Sequence, residues 1–259
     1  MDVSPAGNGV ALKDVTRYLD QLLRIAEIPD YSGALNGLQV ENSGSVRKIA
    51  AAVDASQASI DDALDGGADL LLVHHGLFWD GNQPLTGRRF RRIGRLLAAD
   101  AALYSAHLPL DVHPELGNNV LLARELGIEP EGRFGDYKGE PLGVWGRLEV
   151  TREALAARLD SVLGSRVKLV PGGPERIRRV GVITGGAGQM IAAATAAGLD
   201  AFVTGEGAHH NYFDAREGGI NLLLGGHYAT EVWGVRALAR HLSERFELPW
   251  RFIDQPTGL

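Results

Sequence analysis

The sequence predicts an α/β fold. Two interlinked, pseudo-duplicated α/β halves with mostly parallel or mixed sheets are expected, approximately residues 1–130 and 131–259 of a single domain over 1–259. Three observations predict it. Short apolar runs alternate with amphipathic helical stretches, the pattern of a largely parallel sheet covered by helices. Residues 46–76 align without gaps on residues 177–207. The composition, 45% hydrophobic and 22% charged over 259 residues, is that of a globular chain able to bury a core.

The elements follow in order. In residues 14–27, Val15, Leu19, Leu22 and Leu23 recur on one helical face, with Asp14 in the N-cap region. Residues 31–44 are rich in turn formers and allow at most a short strand, Leu38-Gln39-Val40. Residues 46–53 read as a strand, 56–67 as a helix ending at glycines, and 69–75 as the next strand. Residues 88–99 read as a helix with Phe90, Ile93, Leu96 and Leu97 inward. Residues 101–107 form another strand, and 117–128 a helix with an asparagine N-cap candidate. Short strands are expected over 131–150, then an amphipathic helix over 151–164 capped by Thr151. Residues 167–184 read as strand, turn, strand.

The internal match has chemical content. At an offset of 131, Val46, Ile49, Ile60, Ala63, Gly67, Asp69 and Gly76 fall on Ile177, Val180, Ile191, Ala194, Gly198, Asp200 and Gly207. His74 and His75 fall on Gly205 and Glu206. At an offset of 120, "SAHLPLD" (105–111) falls on "GGHYATE" (225–231), placing His107 over His227 and Asp111 over Glu231. Each half thus ends one strand with a polar pair and another with His-x-x-x-acid.

Composition excludes whole classes. The chain has no cysteine, so disulfides, thiol catalysis, thiolate zinc sites and iron–sulfur clusters are ruled out. The formal net charge of −6 argues against a general nucleic-acid binder, though not against a local basic patch. The polar stretch at residues 1–10 lacks the basic and apolar regions of a signal peptide. No run of about 18 apolar residues occurs. A cytoplasmic protein with no membrane span is expected.

Six polar residues stand at expected strand ends: His74, His75, His107, Asp111, His227 and Glu231. The C-terminal edge of a parallel sheet is the usual ligand crevice. Imidazoles and carboxylates suit zinc, iron, manganese, nickel or cobalt. A catalytic zinc ion takes about three protein ligands, so six candidates exceed one open site and fit two. An imidazole binds one ion through one nitrogen, so adjacent His74 and His75 serve two ions more naturally than one. Each signal alone has an ordinary alternative. A strand-end histidine is commonly a surface or core residue, and His-x-x-x-acid spacing arises on any helix. Their joint presence in a doubled pattern favours the metal reading.

The segments "DLLLVHHGLFW", "SAHLPLD", "TGEGAHHNYFDA" and "GGHYATE", with "ALNGLQVENSG" near the start, resemble the signatures of the NGG-interacting-factor-three-like family. Its bacterial members are labelled GTP cyclohydrolase I type 2 homologues. The resemblance runs from about Val15 to about Phe252 and is to the short form, without an inserted domain. It implies a dinuclear site in the cleft between the halves, with His74, His75, Asp111, His227 and Glu231 as metal ligands and Glu231 as the bridge. His107 matches a further site histidine, which would brace a metal ligand, touch substrate or move a proton. It also implies a homohexamer.

Other motifs carry two readings each. Glu206, His209 and His210 could wall a substrate cleft, or start a helix with exposed histidines. "ITGGAGQM" (183–190) could offer N–H groups to a phosphate. It lacks the Gly-Lys-Ser/Thr of a P-loop, and its counterpart "VDASQAS" has no glycine, so a tight turn is the better reading. Arg88–Arg95 holds five arginines in eight residues; it could steer an anionic substrate or nucleic acid, and is better read as an amphipathic helix with a solvated or subunit-facing basic side.

The expected function is a dinuclear metal-dependent hydrolase acting on an unidentified small molecule, with His107 the candidate for proton transfer. GTP ring opening is one specific version. A non-catalytic metal-binding assembly or partner-binding protein is the rival.

Overall fold

The computed structural model describes residues 9–259, so the polar stretch read at the N-terminus lies almost wholly outside the described residues. The chain divides into two compact units. The first holds the described residues to Pro109 together with Val235–Gln255, and the second holds Leu110–Gly234 with Pro256–Leu259. The helix His227–Phe246 begins in the second unit and ends in the first. Among the described residues no helix is long and apolar enough to cross a membrane.

The first unit is built on a five-stranded sheet in the order Trp250–Phe252, Ile49–Asp54, Leu70–His75, Ala102–Ser105, Gly37–Val40. All neighbours are parallel except the last pair. Its central strands are almost wholly buried, which suits their continuous apolar sequence. The helices Gln57–Asp65 and Gly87–Ala98 contribute Ile60, Ala63 and Leu96 to this core.

The second unit has a six-stranded sheet. Arg176–Val182, Ala201–Thr204 and Asn221–Leu224 run parallel at its centre. The hairpin Pro130–Tyr137/Glu140–Thr151 flanks one side and Lys168–Val170 the other, all antiparallel. The hairpin strands are longer than the short strands expected there. Thr151 does cap the helix Arg152–Leu163, accepting from the Ala154 N–H, and left-handed Gly164 ends it.

The duplication is present in the backbone. Ile49 pairs with Leu70 in the first unit, and Val180 with Ala201 in the second, the same register shifted by 131. Gly67 and Gly198 both take positive φ, 73° and 67°, as the chain leaves a helix. Asp69 accepts from the N–H groups of Arg47 and Lys48, and Asp200 from those of Arg178 and Arg179. These matched aspartates tie the start of one strand to the start of the next.

Three local expectations are corrected. In the helix Gly87–Ala98, Leu96 is buried, but Phe90 and Leu97 are 62% and 61% exposed. Arg89 takes the inward place because its guanidinium donates to the Gly81 and Gln83 carbonyls, which rotates the helix. Asp14 lies in the first turn of Leu12–Leu22, not at its cap. Asn118 and Asn119 are not caps; Gly117 precedes the helix Asn118–Glu125. Both asparagines are buried and bind across the unit, Asn119 accepting from the Thr184 N–H and hydroxyl and donating to the Leu142 carbonyl.

Candidate metal centre

In the first unit the sequence brings three histidines together. His74 and His75 end the strand Leu70–His75, and His107 follows the neighbouring strand Ala102–Ser105. A regular strand sends adjacent side chains to opposite faces, yet these two imidazoles lie close together at the strand end. Ring centroids lie 4.7 Å apart for His74–His75, 5.0 Å for His74–His107 and 5.6 Å for His75–His107. One nitrogen from each falls within 4.8 Å of the others, a spacing that could hold a metal ion.

The outer nitrogens explain how the rings are aimed. His74 Nδ1 lies 2.9 Å from the Ala106 carbonyl, His75 Nδ1 2.9 Å from Asp54, and His107 Nδ1 2.9 Å from Asp30. Carbonyls and carboxylates only accept, so each Nδ1 carries a proton. This outer-shell arrangement fixes both tautomer and orientation of metal-binding imidazoles.

Asp30 is the most heavily used of these anchors. It also accepts from Asn36 Nδ2, the Tyr31 N–H and the Leu108 N–H, while the His107 N–H donates to Asn36 Oδ1. Burial alone would raise its carboxyl. The hydrogen bond and charge of His107, with the Asn36 and Tyr31 donors, outweigh that and hold it below the ordinary carboxylate value. Trp79 packs edge-on against His107, with centroids 4.8 Å apart, and Tyr31 lies tilted against the same imidazole at 6.0 Å.

In the second unit His227 opens the helix His227–Phe246. Its Nδ1 lies 2.8 Å from Glu206 Oε1 and its Nε2 3.2 Å from Glu231 Oε2. Glu206 therefore anchors His227 as Asp54 and Asp30 anchor their histidines. Burial acts to lower the imidazole, but the hydrogen bonds and charges of Glu231 and then Glu206 prevail and push it up to about 9. The glycine-rich 183–190 stretch is a tight turn pressed against this pair. Gly185 has φ 66°, and a Cβ there would collide with Glu231 Oε1. Its carbonyl accepts from the Gly205 and Glu206 N–H groups.

Asp111 belongs to the second unit, buried, with Oδ1 accepting from Asn118 Nδ2 at 2.8 Å. His209 and His210 are exposed at the start of the helix Asn211–Gly218, as the helix-start reading has it, while Glu206 and His210 also line a cavity of about 390 Å³, as the cleft-wall reading has it. Sequence reasoning missed Asp30, Asn36 and Asp54. Only Asp54 left a signal, as the polar residue that ends its strand beside His75.

The family described as Duf34/NIF3 (NGG1p interacting factor 3) matches residues 10–257. The chain belongs to this family. It is similar to the "GTP cyclohydrolase 1 type 2 homolog" of Deinococcus radiodurans, 44% identical over 265 residues and 100% of both chains. The protein so described in Escherichia coli K12 is 44% identical over 248 residues, 94% of this chain and 97% of the relative. Among solved structures, protein ybgI, described as of unknown function, superposes with a TM-score of 0.90 at 42% identity, covering 96% of this chain and all of that one. TTHA1606 from Thermus thermophilus gives 0.84 at 40% identity with the same coverage. The fold, mixed α/β, is that of the NIF3 superfamily.

The repeat also shows where family symmetry is broken. Val73 pairs with Ser105, and its counterpart Thr204 pairs with Leu224. His107 comes two residues after Ser105, but His227 three residues after Leu224. The two histidines matched in sequence therefore sit one step apart in the folded repeat.

Proposed function

We propose that this NIF3-family protein binds two divalent metal ions per chain and is a metal-dependent hydrolase of a small molecule. His74, His75, Asp111, His227 and Glu231 are the proposed ligands, with Glu231 bridging. The observation that carries the reading is the convergence of one nitrogen each from His74, His75 and His107 within 4.8 Å of one another, with all three rings anchored through Nδ1. That donor set fits zinc, iron, manganese, nickel or cobalt.

When bound, a metal pair supplies Lewis acidity that makes hydroxide available near neutral pH. The chain's own groups do the rest. Ala106, Asp54, Asp30 and Glu206 hold the protons on the outer nitrogens. His107, braced by Asp30 and Asn36 and walled by Trp79, is placed to bind or to move a proton through Nε2. GTP ring opening is one version of the reaction, suggested by the relatives' description. The protein is taken to act as a homohexamer.

Metal analysis after reconstitution tests the centre, and close to two ions per chain are expected; none would overturn it. An activity screen over GTP, phosphoesters and cyclic amides, with Asp111→Ala as the blank, tests the hydrolase. Two bound ions with no turnover of any substrate would favour a non-catalytic metal-binding assembly. Light scattering of the eluted protein reads the oligomer.

A further inference from the structure

A cavity of about 660 Å³ lies in the first unit, and Trp79 is one of its walls. The same indole packs edge-on against His107 and, at 5.9 Å, against His75. The cavity therefore shares a wall with the histidine group. Its other apolar walls are Leu35, Phe78 and Leu85; Arg89 lies beneath Phe78, 5.0 Å from the ring centroid. The volume is that of a small-molecule site, typically about 300–1,000 Å³.

The walls are two loops, and three contacts pin them. Gly33 approaches the Trp79 backbone so closely that a Cβ would stand 2.6 Å from its carbonyl oxygen. Gln39 donates to the Ala34 and Leu35 carbonyls and accepts from the Leu77 N–H. Arg89 donates to the Gly81 and Gln83 carbonyls. A pocket held this way is formed before any ligand arrives, which lowers the ordering cost of binding.

Charge narrows the occupant. Asp80 is shared between Arg89 at 3.6 Å and Arg88 at 3.8 Å, so one carboxylate faces two guanidinium groups. Arg89 is the charged residue among those that line the cavity. Flat apolar walls favour a planar ring, and the cation favours an anion.

We propose that the Trp79–Phe78 cavity is the subsite for a ring-bearing organic anion, an aryl or heteroaryl carboxylate being the simplest form. The inference rests on the proposed function in one respect: the ring would lie here while the hydrolysable group reaches the histidines.

Calorimetry with 2-naphthoate on chelator-treated protein tests it. Saturable binding is expected, with 2-naphthamide and cyclohexanecarboxylate at least tenfold weaker. Ser32→Trp, at an exposed cavity-lining position beside Gly33 whose own side chain makes none of the pinning contacts, is expected to weaken naphthoate at least tenfold while leaving melting temperature and metal content unchanged. Arg88→Glu is expected to weaken naphthoate several-fold but not naphthamide. No saturable binding, or full binding in Ser32→Trp, would overturn the subsite. So would binding that appears only in metal-loaded protein and vanishes in His74→Ala, since the metal would then hold the anion. Loss of binding as protein concentration rises would mean that a second copy fills the cavity, and would overturn it too. Naphthoate binding to protein that never takes up metal would remove the metal reading and leave the subsite standing.

Discussion

Asp54 and His75 are partners twice: they face each other across adjacent parallel strands, and Asp54 Oδ1 accepts the His75 Nδ1 proton at 2.9 Å. The strand register thus delivers the carboxylate to the ring that it must aim. Replacing Asp54 by alanine removes the acceptor and lets the imidazole rotate or change tautomer. Metal affinity is expected to fall by about 10–100-fold, as is usual for outer-shell partners. Asp54→Asn, which keeps an acceptor oxygen, should lose less. Competition against a chromogenic chelator reads both, and equal affinity in wild type and Asp54→Ala would remove the aiming role.

Gly185 tests the second unit. An alanine there runs into the Glu231 carboxylate and must hold φ near 66°. The substitution should cost about 1–3 kcal/mol for the backbone alone. It should also displace Glu231 and reduce metal uptake. Thermal unfolding and metal analysis check the two effects separately. A stable variant with normal metal content would show that the loop yields easily.

The His227 imidazole gives a pH dependence in the metal-free protein. Its value is raised from 6.5 to about 9 by Glu231 and Glu206. Folding then favours the protonated ring, so the stabilisation is complete below about pH 6.5 and is lost as pH rises through 9. Melting temperature of chelated protein should decline across that window, and His227→Gln should flatten the decline. Parallel pH curves for the two proteins would exclude the effect.

Asn119 is a structural prediction. Its buried amide satisfies the Thr184 N–H, the Thr184 hydroxyl and the Leu142 carbonyl. Asn119→Ala strands these groups and should cost about 2–3 kcal/mol, read by denaturant unfolding. A change within about 0.5 kcal/mol, the scatter of a surface substitution, would mean that the pocket rehydrates or collapses.

What was legible in the sequence had short range or was repeated. The strand–helix alternation, the repeat at an offset of 131, the Thr151 cap and the turn at Gly185 all depend on neighbouring residues or on a pattern met twice. The helix Gly87–Ala98 was readable in extent but not in rotation. Two adjacent apolar stripes compete there, and the choice rests on Arg89 reaching the carbonyls of Gly81 and Gln83. The residues named for the candidate centre were expected at strand ends, a local signal; His74 and His75 do end a strand, but Asp111 lies in the short helix Leu108–Asp111 and His227 and Glu231 in the first turns of His227–Phe246. The anchor Asp30 was not named, because it lies 77 residues before His107 and only the folded chain brings them together.

Position 205 has a consequence for anyone hoping to engineer the molecule. It is the counterpart of His74, but a Cβ there would stand 2.7 Å from the Gly185 carbonyl oxygen and 2.8 Å from His227 Cα and Thr230 Oγ1. Grafting the first lobe's histidine into the second by a point change is therefore sterically closed. A design with two identical lobes would have to rebuild the Gly185 turn and the start of the His227 helix at the same time. The two halves, packed in this way, cannot be made alike at this position by one substitution.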